Sequence, residues 1–123
     1  MNIIDALHSR QVFGPLFRDL ATWHAWEVFL RGLFGLGLEE AKDRALFRAC
    51  TGLAKMPASP ARESFVICGR RSGKSFISSV IAAYLAAFVD WKPYLSSGEK
   101  GWIFIVAVDK QQAGIIKGYI SGI

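Results

Sequence analysis

The sequence predicts an α/β chain in which helices come first and the order strand, glycine-containing loop, helix, strand, helix follows. Three observations predict it. Residues 22–34 and 39–50 carry apolar side chains at helical spacing. Residues 64–68, Ser-Phe-Val-Ile-Cys, form a short β-branched and aromatic run that ends at a glycine. Residues 102–108 are apolar throughout, the composition of a parallel strand covered on both faces.

In the first helix Trp23, Trp26, Phe29, Leu30, Leu33 and Phe34 recur at i, i+3 and i+4, so one face is heavily apolar. Gly32, Gly35 and Gly37 loosen the pattern before it resumes with Ala41, Ala45, Leu46 and Ala49 on one side, which predicts a helical hairpin. The stretch 51–62 has two prolines and no period, and reads as a loop between two organisational units. The expected division is therefore a helical region over 1–52, a proline-containing loop over 53–62 and a partial α/β core over 63–123. Within that core a helix runs from Gly73 or Lys74 to about Asp90. Pro93, Ser96, Ser97 and Gly98 make a connector. A last helix over 110–120 is marked by Ala113, Ile116 and Ile120, and weakened by Gly114 and Gly118.

The bulk composition bounds the partners. With 123 residues, 52% hydrophobic and 20% charged, the chain falls in the folded globular class. A net charge of +5 favours an anionic partner such as nucleotide or nucleic acid, although a solvated basic face gives the same count. Cys50 and Cys68 stand in unrelated contexts, with no zinc spacing or disulfide framework, and reduced cytoplasm is the natural setting. The first ten residues lack the basic and apolar regions of a signal peptide. The most apolar run, 76–89, is shorter than the ~20 residues of a membrane span and reads as a helix packed on a sheet, so no membrane is expected.

The segment Cys68-Gly69-Arg70-Arg71-Ser72-Gly73-Lys74-Ser75 lies between an expected strand and an expected helix, the context of a Walker A phosphate-binding loop. It departs from that pattern once, because Cys68 stands where the first glycine would be; Gly69, one position later, is the candidate source of the missing backbone freedom. A triphosphate concentrates negative charge, and backbone N–H groups at a helix N-terminus meet it with donors and a favourable dipole. Gly73 lets the backbone approach closely. Lys74 would reach the β- and γ-phosphates of ATP as a point charge, and the Ser75 hydroxyl would bind magnesium. The competing reading is an ordinary turn with a basic rim.

The run Gly69-Arg70-Arg71-Ser72-Gly73-Lys74-Ser75 resembles the variant Walker A loop of bacteriophage large terminase subunits, an arginine-containing loop that often lacks the first glycine. The upstream helix with Trp26 and Leu30, the Thr51-Gly52 step before a proline-rich loop, and Gln112-Ala113 after a second strand are similar to that family too. By this resemblance Arg70 matches a cis arginine finger on the γ-phosphate, with Arg71 as its neighbouring substitute. The family implies a P-loop NTPase sheet and an ATPase followed by a metal-dependent nuclease, which works with a small terminase subunit and a portal to package viral double-stranded DNA in the cytoplasm of a bacterial host. The later acidic motif, the water-polarising glutamate and the nuclease carboxylates have no counterparts before Ile123, so the resemblance implies a truncated protein. Two strands are too few for the full sheet, so an exposed edge or an associating partner is expected.

Other features compete with this reading. The apolar run 102–108 ends at Asp109 as a Walker B strand would, making Asp109 a candidate magnesium ligand in a different small P-loop NTPase; Lys110 stands where a catalytic glutamate often follows, and Asp109 can equally serve as a helix N-cap. A third possibility is a non-catalytic remnant or interaction module. The aromatics near Arg31 suggest a base-stacking surface, but helical spacing argues for core. His8 and His24 lack ligand partners in sequence and read as structural or surface residues. Glu39 and Glu40 open a helix, where they favour its dipole.

Overall fold

The computed structural model describes all residues from Met1 to Ile123 and divides into two compact units, Met1–Ile67 and Cys68–Ile123. The regular elements are helical: α1 (Ile3–His8), α2 (His24–Leu33), α3 (Ala41–Thr51), α4 (Lys74–Phe88) and α5 (Lys110–Gly122), with short 3-10 turns at Gly14–Leu16, Leu20–Trp23 and Lys92–Tyr94.

The first unit is built around α1 and α2. Helix α1 has only six residues, and its start is specified locally: the Asp5 N–H donates to Asn2 Oδ1 at 2.9 Å while the Asn2 N–H donates back to Asp5 Oδ2. Ile3, Ile4, Ala6 and Leu7 are all buried. Helix α2 buries Val28, Leu30 and Gly32, leaving Trp23, Trp26, Phe29 and Phe34 half covered. Two edge-to-face ring pairs, Phe17 with Trp23 and Trp26 with Phe29, account for part of that cover.

The buried face of α3 differs from the expected alanine face. Ala41, Ala45 and Ala49 are exposed, whereas Asp43 and Phe47 are buried and Leu46 is half buried. Phe47 decides the orientation, because a Cβ added at Gly32 would lie 2.6 Å from its Cε2. Only glycine on α2 leaves room for that ring, which packs with Val28, Leu38, Leu46 and Met56. Each histidine also has an acidic neighbour on the next helix. His8 Nε2 lies 3.2 Å from Glu27 Oε2, between α1 and α2, and His24 Nε2 lies 2.7 Å from Asp43 Oδ1, between α2 and α3. Helix α3 ends at left-handed Gly52, whose N–H donates to Arg48 O at 2.8 Å. The proline-containing stretch then returns to α2, with the Ala61 N–H donating to Leu33 O at 2.8 Å.

The expected α/β architecture is overturned: no residue lies in a strand, and neither a P-loop sheet nor any other sheet is formed. The two runs read as strands, 64–68 and 102–108, make no backbone hydrogen bonds to other segments. Most of their apolar side chains are exposed, Phe65 at 94% and Val108 at 94%. The physical reason is that β-propensity measures how well a side chain fits a pleated, half-buried surface, and cannot by itself supply the neighbouring ladder that creates one.

In the second unit α4 packs against α5. Helix α4 buries Ile77, Ser79, Val80, Ala82 and Tyr84, and Phe76 meets Tyr119 of α5 edge-to-face at 5.6 Å. Helix α5 itself has no fully buried residue. No helix of the chain is long and apolar enough to cross a membrane.

Candidate functional site

The residues of the expected phosphate loop lead directly into α4, which begins at Lys74. Gly73 is the N-cap, with φ 81° and ψ 10° in the left-handed region, and it offers no side-chain cap. The N–H groups of Lys74, Ser75 and Phe76 belong to the first turn, where a helix has no internal acceptors for them; the first intrahelical bond closes from the Ile77 N–H to Gly73 O at 2.9 Å. No carboxylate occupies that turn, so the positive end of the helix dipole is not offset locally.

Arg71 is the one non-glycine residue with positive φ, at 61°. An L-residue in that region carries a cost of about 1–2 kcal/mol. Left-handed residues therefore stand on both sides of Ser72. Gly69 has a different role from the one expected of it. Its φ is not positive, and a Cβ there would meet nothing within 4 Å, so the backbone freedom this loop uses resides at Arg71 and Gly73.

Three cations sit within five residues. Arg70, Arg71 and Lys74 are exposed, and none takes part in an ion pair. Ser72, Gly73 and Ser75 are half buried. The loop thus brings together first-turn N–H groups, left-handed Gly73, three exposed positive charges and the Ser75 hydroxyl. This donor set suits a phosphate group. For magnesium the local offering is the Ser75 hydroxyl alone, and the ion would draw its remaining ligands from phosphate oxygens and water. No group of three or more His, Cys, Asp or Glu side chains is arranged to hold a metal.

Asp109 is engaged at a helix start. Its Oδ1 accepts the Gln112 N–H at 2.8 Å, making it the N-cap of α5. A cavity of about 480 Å³ is lined by Leu85, Trp91, Leu95, Trp102 and Ile103. It lies toward the far end of α4, roughly 16 Å along the axis from Lys74, and its apolar lining offers nothing to a phosphate. Sequence reasoning missed the left-handed Arg71 and the buried Ser79. The first has no sequence signal because non-glycine residues seldom adopt that conformation. The second depends on where α5 comes to rest.

Comparison with protein-family models gave no match, and comparisons with curated proteins and with solved structures gave none either.

Proposed function

We propose that the chain binds a nucleoside triphosphate through residues 69–75, as the ATP-binding segment of a viral DNA-packaging motor of the large terminase type. The observation that carries the nucleotide reading is the entry into α4: left-handed Gly73 opens onto the first turn of a fifteen-residue helix, with Arg70, Arg71 and Lys74 exposed around it. In this reading Lys74 meets the β- and γ-phosphates, Ser75 meets magnesium and the backbone of 72–76 donates to the phosphate oxygens. Arg70 serves as the arginine finger when the γ-phosphate leaves, with Arg71 held in the loop by its backbone. Double-stranded viral DNA, a small terminase subunit and a portal are the partners of the complete motor, where ATP hydrolysis would drive translocation. Thermal protection by ATP with magnesium tests the nucleotide reading, and lack of protection would remove it.

A second reading, a non-catalytic interaction module, is favoured by a specific observation. The segment 102–108 presents apolar side chains to solvent without a sheet around it. Under that reading a partner co-purifies independently of nucleotide.

A small NTPase that uses Asp109 for magnesium is the weaker alternative, because that carboxylate already caps α5. Asp109→Ala is expected to cost about 1 kcal/mol of stability, the usual value of an N-cap, and to leave the ATP-induced rise in midpoint unchanged. Urea titration with and without ATP checks both parts; loss of the ATP effect alone would return Asp109 to the site.

A further inference from the structure

Ser79 is fully buried, with no exposed surface. Its Oγ lies 2.8 Å from Ser75 O, one turn back in α4, and 3.2 Å from Ile116 O in the middle of α5. A hydroxyl has one hydrogen, so the two carbonyls share a single donor that joins the two helices. Phe76 adds a second tie at the same level through its edge-to-face contact with Tyr119. Both contacts reach α4 within its first two turns, directly behind the loop that ends at Lys74 and Ser75.

Ser78 supplies a built-in contrast. Its Oγ makes the same type of bond, to Lys74 O at 2.8 Å, yet it is exposed and touches no other helix through that hydroxyl. A back-bond from serine to the carbonyl four residues earlier is a common local arrangement in helices and needs no further role. Ser79 differs in being buried and in having a carbonyl of α5 as a second acceptor, where partial burial strengthens the hydrogen bond.

We infer that Ser79 is a positioning residue that fixes α5 to the turn bearing Lys74 and Ser75, so that capture of a magnesium–triphosphate by the loop is felt as order in α5. The inference rests on the nucleotide reading of 69–75. A ligand that engages the first-turn N–H groups of α4 restricts the motion of that turn, and Ser79 carries the restriction to Ile116 through the shared hydrogen. The coupling is reciprocal by thermodynamic necessity: an α5 held in place favours the ligand-bound loop.

Amide hydrogen exchange of the full chain, with and without ATP and magnesium at saturation for each variant, is the test. In the unaltered protein and in Ser78→Ala, exchange across 113–120 is expected to slow by about fivefold on adding the nucleotide, the scale of one net hydrogen bond. In Ser79→Ala the slowing should fall below about twofold, while midpoint shifts still report ATP binding. An equal response in the two serine variants, or no response in the unaltered chain despite ATP binding, would overturn the role of Ser79 alone. Absence of ATP binding in the unaltered chain would overturn the nucleotide reading and this inference with it.

Discussion

Lys74→Ala is expected to abolish the thermal protection that ATP with magnesium gives the chain. A ligand present at a hundred times its dissociation constant adds about 2.7 kcal/mol to the folded state. In a protein of this size that raises the unfolding midpoint by roughly 10 °C or more. Lys74 is exposed and makes no ion pair, so its removal breaks no native interaction of its charge and the ligand-free midpoint should move little. The ammonium carries the one lysine charge in the loop, and a charge-assisted bond to phosphate is among the stronger polar contacts. A rise below about 2 °C in the variant, against the full rise in the parent, is the expected pattern in differential scanning fluorimetry. Equal rises would show that ATP is held elsewhere.

Gly35→Ala is expected to remove a large share of the stability of the first unit. Gly35 follows the end of α2 with φ +64°, and a Cβ built there falls 2.5 Å from the backbone carbonyl carbon of Ser59 and 2.8 Å from its Cα and N. The obstruction is backbone rather than a movable side-chain tip. The left-handed conformation costs an L-residue about 1–2 kcal/mol, and forcing a methyl into packed backbone adds about 1–3 kcal/mol. A unit the size of Met1–Ile67 has a total stability of roughly 3–10 kcal/mol, so a loss of about 2–5 kcal/mol is a large share of it. Gly37 provides the control. It is also left-handed, at φ +76°, but has nothing within 4 Å of an added Cβ, so Gly37→Ala should cost only the conformational part. Near-equal urea midpoints for the two variants would contradict the close approach of Ser59 to Gly35.

Helices α2, α4 and α5 were legible in the sequence because each carries a repeated apolar pattern or a sharp start signal. The Gly73-Lys74 step before an apolar run marked the start of α4, and Asp109 marked that of α5. Helix α1 was missed although it holds some of the most deeply buried side chains. Six residues are too few to show a helical period, and its signal was the pair Asn2 and Asp5, three residues apart. The buried face of α3 was misjudged because alanine fits a helix equally well on either side. The bulky Phe47 beside the gap at Gly32 decides the matter, and that gap belongs to another helix.

The sheet failed for a related reason. The side chains of 64–68 and 102–108 favour extended backbone, but a strand is a relation between two segments, and neither run acquires a hydrogen-bonded neighbour. The loop fared better because its chemistry is local. Lys74 and Ser75 are placed by the start of α4, while the strained Arg71 and the double acceptor of Ser79 emerge only once loop and helices are folded.

The most direct measurement of the central claim is amide NMR of the chain during titration with ATP and magnesium. If 69–75 holds the triphosphate, the largest shifts fall on the amides of 70–76, they saturate, and adenosine without phosphates fails to produce them. Saturating shifts confined to other residues, or a response to adenosine equal to that of ATP, would contradict a phosphate-holding loop at the start of α4.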